Sequence, residues 1–183
     1  ALLLPWAPLH QTPPPLESGK TEMAGGDFEA GRSLFFGERL KCSTCHRLRG
    51  EGGTVGPDLS NLVHRDPASV LRDIKEPSAA INPDYVAHNV RLRDGGDLTG
   101  FVRTQTGDSL RLVGSDGKEQ FLRRNEVIEM RPSAVSLMPT GLLEGLKERE
   151  IRDLMTFLLN EPPTRSQAEV DAVFHQEDSK KSI

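Results

Sequence analysis

Apolar residues recur at helical spacing near both ends of the chain. Behind Asp27, a candidate N-cap, this spacing runs until Gly37, and its members are Phe28, Gly31, Leu34 and Phe35. The segment 144–160 has the same periodicity, and two prolines follow it at 162 and 163. A shorter apolar repeat covers 66–76. We therefore predict one helix at each end of a core and a third helix between them.

The spacing changes to alternation from Tyr85 onward. Val86, His88, Val90 and Leu92 fall on one face, and a turn follows at 94–96. Further short strands are predicted around 101–102, 110–113 and 121–122, with turns at 105–108 and 115–118. Residues 85–130 thus predict a small antiparallel β-meander or barrel inserted into a mainly α domain, α+β overall.

Both cysteines of the chain lie in the segment Cys42-Ser43-Thr44-Cys45-His46. A CxxCH segment is the spacing that attaches c-type haem, because each thiol adds to one vinyl group of a single porphyrin. The adjacent imidazole of His46 is then the candidate proximal ligand of the iron. We predict one covalently attached haem c held by Cys42, Cys45 and His46.

Three other uses of this segment are weaker. A zinc site would need a fourth ligand from another cysteine, and adjacent Cys45 and His46 suit one tetrahedron poorly. A thioredoxin-like redox pair belongs to a strand-helix setting, which the surrounding pattern lacks. A structural disulfide between Cys42 and Cys45 is the third alternative.

Two loops resemble those of class I cytochromes c. The first is Gly56-Pro57-Asp58-Leu59, where the resemblance implies that the Pro57 carbonyl accepts the Nδ1 proton of His46. The second is Ser136-Leu137-Met138-Pro139, where it implies that Met138 is the sixth ligand of the iron. Met130 and Met155 lie in apolar periodic stretches and are expected to be packing residues. His64 is the next candidate ligand.

The order of these motifs resembles the haem-binding domain of planctomycetes and verrucomicrobia. The resemblance covers about residues 27–160 and includes Glu76-Pro77-Ser78 and Asn82-Pro83-Asp84-Tyr85. Members of that family are often fused behind propeller-type dehydrogenase or helical-repeat regions. The resemblance therefore implies a partner that is a redox protein or a fused or docked dehydrogenase domain.

Composition adds limits to this interpretation. The chain has 183 residues, 36% hydrophobic content and a net charge of −4, which suits one domain and offers no basic excess for nucleic acid. We predict a Pro-rich extension or linker at 1–26, a cytochrome c domain at 27–160 and a polar tail at 161–183. Any membrane association is expected through the N-terminal segment or a partner.

Two functions from different classes fit these motifs. The first is a non-enzymatic electron carrier with His46 and Met138 as axial ligands, located in the periplasm or another extracytoplasmic compartment where haem c is attached. The second is a haem enzyme or gas sensor, such as a peroxidase, with an open distal site. A peroxidase needs a distal histidine or arginine over the iron, and no motif in the sequence indicates one. We expect the β segment to be a lid or docking surface beside the haem edge.

Overall fold

The first and last helices of the described residues cross each other in the core of the fold. A computed structural model describes residues 25–163. Helix α1 is Phe28–Phe36, and the carboxylate of Asp27 caps it by accepting the Ala30 amide at 2.8 Å. Helix α4 is Glu148–Leu159. At the crossing, a Cβ on Gly31 would lie 2.0 Å from the backbone oxygen of Asp153, so the two helices approach each other backbone to backbone.

The predicted start of the last helix is wrong by one turn. Residues 144 and 145 are in a turn, residues 146 and 147 are irregular, and α4 begins only after Lys147. Gly145 has a φ of +78°, which an α-helix cannot contain. The Glu150 carboxylate then accepts the Lys147 amide at 2.7 Å and caps the new start. The apolar spacing continues through this turn, so periodicity alone extended the helix too far.

The helical half of the molecule also contains α2, Cys42–Cys45, and α3, Pro67–Lys75. A 3₁₀ turn, Ser60–His64, lies between them. The predicted helix over 66–76 is confirmed, with Asp66 as its N-cap. One apolar cluster joins these elements, and its buried members are Phe35, Leu40, Leu48, Val70, Leu154, Met155, Phe157 and Leu158.

The described residues also form two antiparallel sheets. Strands β1, Arg47–Leu48, and β2, Glu51–Gly52, form a short hairpin directly after α2. The larger sheet contains β3, His88–Leu92, β4, Asp97–Gln105, β5, Ser109–Val113, β6, Glu119–Arg123, and β7, Val127–Pro132. Its strand order is β6-β5-β4-β3-β7.

The larger sheet has a hydrophobic cluster of its own. Val90, Leu110, Leu112 and Val127 are buried there, apart from the helical cluster. The fold is therefore mixed, with a helical half and a sheet half, which confirms the α+β character. The alternation did not identify β7, and Tyr85 lies in a 3₁₀ turn, Pro83–Tyr85, before the first long strand.

Most of the predicted terminal extensions lie outside the described residues. Of the segment 1–26, only residues 25 and 26 are described, and of 161–183, only residues 161–163. The domain boundaries therefore stay predictions. Within residues 25–163, none of the helices has the length and apolar character that crossing a membrane requires.

Replacing Gly31 tests the helix crossing. In an isolated helix, a Gly→Ala substitution would stabilise the helix by about 1 kcal/mol. Here the new methyl group would overlap the Asp153 backbone, so we expect Gly31→Ala to lower the free energy of unfolding of the holoprotein by roughly 1–3 kcal/mol. Guanidinium titration followed by far-UV circular dichroism measures it. Gly107→Ala is the control, because a Cβ at Gly107 meets no atom within 4 Å. Equal stability of both variants would contradict a close crossing.

Candidate functional site

Both thiols of the CxxCH segment project from a single helical turn. Helix α2 contains only Cys42–Cys45, and the amide of His46 closes it on the Cys42 carbonyl at 2.9 Å. Residues three apart on a helix lie on one face, so the two sulfur atoms are neighbours. Both cysteines are free and partly buried. The turn thus presents two thiols that can react with one ligand.

A glycine-rich loop that contains Gly53 and Gly56 is hydrogen-bonded to this turn through the backbone. The Gly53 amide donates to the Ser43 carbonyl at 2.7 Å, and the Gly56 amide donates to the Cys45 carbonyl at 2.8 Å. A Cβ on Gly53 would lie 2.2 Å from the backbone oxygen of Thr44, which explains why a glycine occupies this position. The loop therefore keeps a fixed position relative to the CxxCH turn.

The imidazole of His46 lies against this loop. Its Nδ1 lies 2.9 Å from the carbonyl oxygen of Pro57. Because a carbonyl can only accept, Nδ1 carries the proton and the lone pair is on Nε2. A Cβ on Gly56 would lie 2.7 Å from His46 Cε1, so this glycine lets the loop pack on the ring. The arrangement leaves Nε2 available to a metal.

Burial shifts the pKa values of all three side chains. Desolvation lowers the pKa of His46, and the hydrogen bond with Pro57 partly opposes that shift. The imidazole is therefore neutral at neutral pH, as a metal ligand must be. Burial raises the pKa of the Cys42 thiol to about 11 and also raises the pKa of Cys45. Before haem attachment, both sulfurs are thus thiols rather than thiolates.

Met138 lies in an irregular segment after β7. Its amide donates to Ser136 Oγ at 3.2 Å, and the Ser136 amide donates to Ser78 Oγ at 3.1 Å. Ser78 thus holds this segment to the loop after α3, a role that the sequence motif alone did not reveal. The role of Met138 as a ligand remains a prediction.

The other candidate ligands occupy different places. Met155 is fully buried in the helical cluster, and Met130 packs against the sheet cluster, as expected for packing residues. Met23, the fourth methionine of the chain, lies outside the described residues. His64 is exposed at the end of the 3₁₀ turn. His88 has a buried Nδ1 that makes no hydrogen bond within the described part of the chain.

Arg49 follows β1 directly. It has a structural function that its charge did not predict. Its guanidinium donates to the carbonyls of Phe157 and Asn160 at the end of α4, at 2.9 Å for the first. It also stacks on the rings of Phe28 and Phe157, 5.4 and 5.1 Å from their centroids. A cation at a helix C-terminus is stabilising. Arg49 therefore joins the attachment segment to the last helix.

Comparison with protein families supports a haem site. A family model described as Cytochrome c matches residues 28–99. The match includes CxxCH and the Gly-Pro loop and ends inside β4, so it does not extend to Met138 or α4. No curated protein matches the sequence. These findings support a cytochrome c domain, a class that binds covalently attached c-type haem and consists typically of electron carriers.

The described residues fit that cofactor. Cys42 and Cys45 provide two free thiols on one helical turn. The Nδ1 of His46 is hydrogen-bonded to Pro57, so its Nε2 has a free lone pair for the iron. Cys42 also packs against the helical apolar cluster, which can continue onto a porphyrin face. The donor set suits c-type haem better than zinc, because the described residues contain no group of three or more His, Cys, Asp or Glu arranged for a metal ion.

Replacing Gly56 tests the packing on His46. In Gly56→Ala the methyl group would overlap the imidazole, so the ring or the loop must move and the contact with Pro57 must weaken. We expect a holoprotein with covalent haem but a less stable fold, by roughly 1–3 kcal/mol. Guanidinium titration followed by Soret absorption measures the change, with Gly107→Ala as the control. A variant as stable as wild type would show that the loop does not press on the ring.

Proposed function

We propose that this protein is a one-electron carrier with His46 and Met138 as the axial ligands of one covalently attached haem c. The observation that carries the proposal is the hydrogen bond between His46 Nδ1 and the Pro57 carbonyl at 2.9 Å, directly beside two free thiols. This contact fixes the ring orientation and makes the imidazole a stronger donor to iron. A bound haem c supplies a one-electron iron couple.

Each side chain has a separate task in this proposal. Cys42 and Cys45 would hold the haem covalently, each by addition of its S–H across one vinyl group, which forms one C–S and one C–H bond. His46 would bind the iron through Nε2, and Met138 would offer a soft thioether. A loop rather than a helix carries Met138, and Pro139 and the Ser136 contacts limit its motion. With both residues as ligands, the iron would have no free position for substrate, which suits a carrier.

Location and partners follow from the same chemistry. Haem c is attached outside the cytoplasm, so we propose a periplasmic or equivalent extracytoplasmic location. The proposed partner is a redox protein, or a dehydrogenase domain that is fused to or docks on this one. The sheet that lies between the Gly-Pro loop and the Met138 segment along the chain is proposed to be an insertion into the cytochrome c domain.

Removing the thiols tests the covalent attachment. Cys42→Ala or Cys45→Ala should leave at most one thioether, and the double variant should hold no covalent haem. Acid-acetone extraction followed by haem staining of denaturing gels measures what stays attached. Haem retained by the double variant would refute attachment through these thiols. Ser43→Ala, in the same turn, is the control and should keep both thioethers.

Replacing Met138 tests the sixth ligand. Axial ligation contributes to a range of about 0.8 V in haem potentials, and a thioether favours reduced iron relative to a second imidazole. We therefore expect Met138→His to lower the midpoint potential markedly. Met138→Ala should allow carbon monoxide to bind the reduced protein and should remove the weak sulfur-to-iron band at the red end of the oxidised spectrum.

Two controls complete this test. Met130→Leu and Met155→Leu should leave the ligand set unchanged, because both residues pack in apolar clusters. Wild-type protein that binds carbon monoxide readily would instead support an open distal site and the haem enzyme or gas sensor. A low-spin Met138→Ala protein that resists carbon monoxide would make His64 the next candidate.

A further inference from the structure

Arg103 lies at an irregularity in the larger sheet. Along β4, Val102 pairs with Leu112, but Thr104 pairs with Arg111, so Arg103 is an extra residue opposite no partner. Such a β-bulge redirects the side chain of the inserted residue and often occurs beside functional sites. The bulge turns Arg103 away from the strand pairing and toward the Gly-rich loop.

The redirected guanidinium binds the loop that supports His46. Its Nη2 donates to the Thr54 carbonyl at 3.1 Å and also to the Val55 carbonyl. The same group lies over the rings of Tyr85 and Phe101, 5.8 and 5.3 Å from their centroids. Hydrogen bonds to a charged donor are stronger than neutral ones, and the two rings restrict the guanidinium further.

The two carbonyls are immediately followed by the residues that touch the imidazole. Gly56 packs on the ring of His46, and Pro57 accepts its Nδ1 proton. A shift of Thr54 and Val55 would therefore move the acceptor of that proton. Through this loop, Arg103 is connected to His46 by one short stretch of backbone.

The turn between β5 and β6 contacts the CxxCH turn and the glycine-rich loop. The Cys45 thiol lies 3.6 Å from the Ser115 carbonyl. A Cβ on Gly117 would lie 3.8 Å from Val55 Cγ2 and 4.0 Å from Thr44. The sheet thus contacts both the CxxCH turn and the loop, and Arg103 provides the charged contact.

We propose that Arg103 is a positioning residue for the proximal ligand and that it strengthens the hydrogen bond between His46 and Pro57. This inference rests on the proposed function, because it takes His46 as an iron ligand. A weaker hydrogen bond makes the imidazole a poorer donor, which destabilises oxidised iron relative to reduced iron. Loosening the loop therefore raises the midpoint potential.

The test uses Arg103→Lys in the full-length holoprotein. Lysine keeps the positive charge, but its ammonium is not a planar fork that can both stack and reach two carbonyls. We expect the His46 Nδ1 proton to exchange with solvent about tenfold faster in the reduced protein, the size of one ordinary hydrogen bond. We also expect the midpoint potential to rise by up to about 59 mV, which is tenfold in a one-electron equilibrium. Proton NMR and potentiometric titration measure these.

Two further variants make the result specific. Arg91→Lys is the matched control, because Arg91 is on β3 of the same sheet and pairs with Asp97 and Glu129, away from the loop. Tyr85→Leu removes one stacking face and should shift both quantities in the same direction by less. It also provides a second test if Arg103→Lys fails to accumulate. Amide exchange in α4 reports global opening and should stay unchanged.

The outcomes separate this inference from the proposed function. Exchange and potential in Arg103→Lys equal to those of Arg91→Lys would overturn the positioning role, as would a loss of stability without a change in either quantity. Wild-type protein without covalent haem, or without His46 as a ligand, would overturn the proposed function instead. The haem content and the reduced absorption spectrum of wild type are therefore measured first.

Discussion

The hydrogen bond between His46 Nδ1 and the Pro57 carbonyl depends on a loop that has no regular structure of its own. That loop keeps its shape because backbone amides at 53 and 56 donate to carbonyls of the CxxCH turn. Gly56 then allows the loop to lie against the imidazole ring. The tautomer and direction of His46 are consequences of this packing, and any metal ligation by Nε2 requires both.

Two parts of the molecule support this loop region from different directions. On the helical side, Arg49 joins the end of α4 to the segment after the CxxCH turn, and α4 in turn crosses α1 at Gly31. On the sheet side, Arg103 binds carbonyls of the loop itself. The helices and the sheet have separate apolar clusters, so the Arg103 contact connects two halves that each bury their own core.

Local sequence signals predicted the elements whose causes are local. Asp27 caps α1 as predicted, and α3 lies where the apolar repeat predicted it, because capping and helical spacing both involve residues only a few positions apart. Alternation identified strands β3 to β6 in outline. It did not identify β7, whose pairing with β3 is fixed by residues about 40 positions earlier in the chain. Gly145 ended the predicted extension of α4, since a left-handed residue interrupts a helix without changing the apolar spacing.

The sequence by itself determined the chemistry: CxxCH provides two thiols and an imidazole at a spacing that few other sites use. It also indicated Pro57, because the Gly-Pro loop follows CxxCH closely. Only the tertiary structure decided how these groups are held. Arg49 and Arg103 look like ordinary surface cations in the sequence, and Ser78 looks like a loop residue. Their partners lie 108, 49 and 58 positions away, so the contacts exist only after the chain has folded.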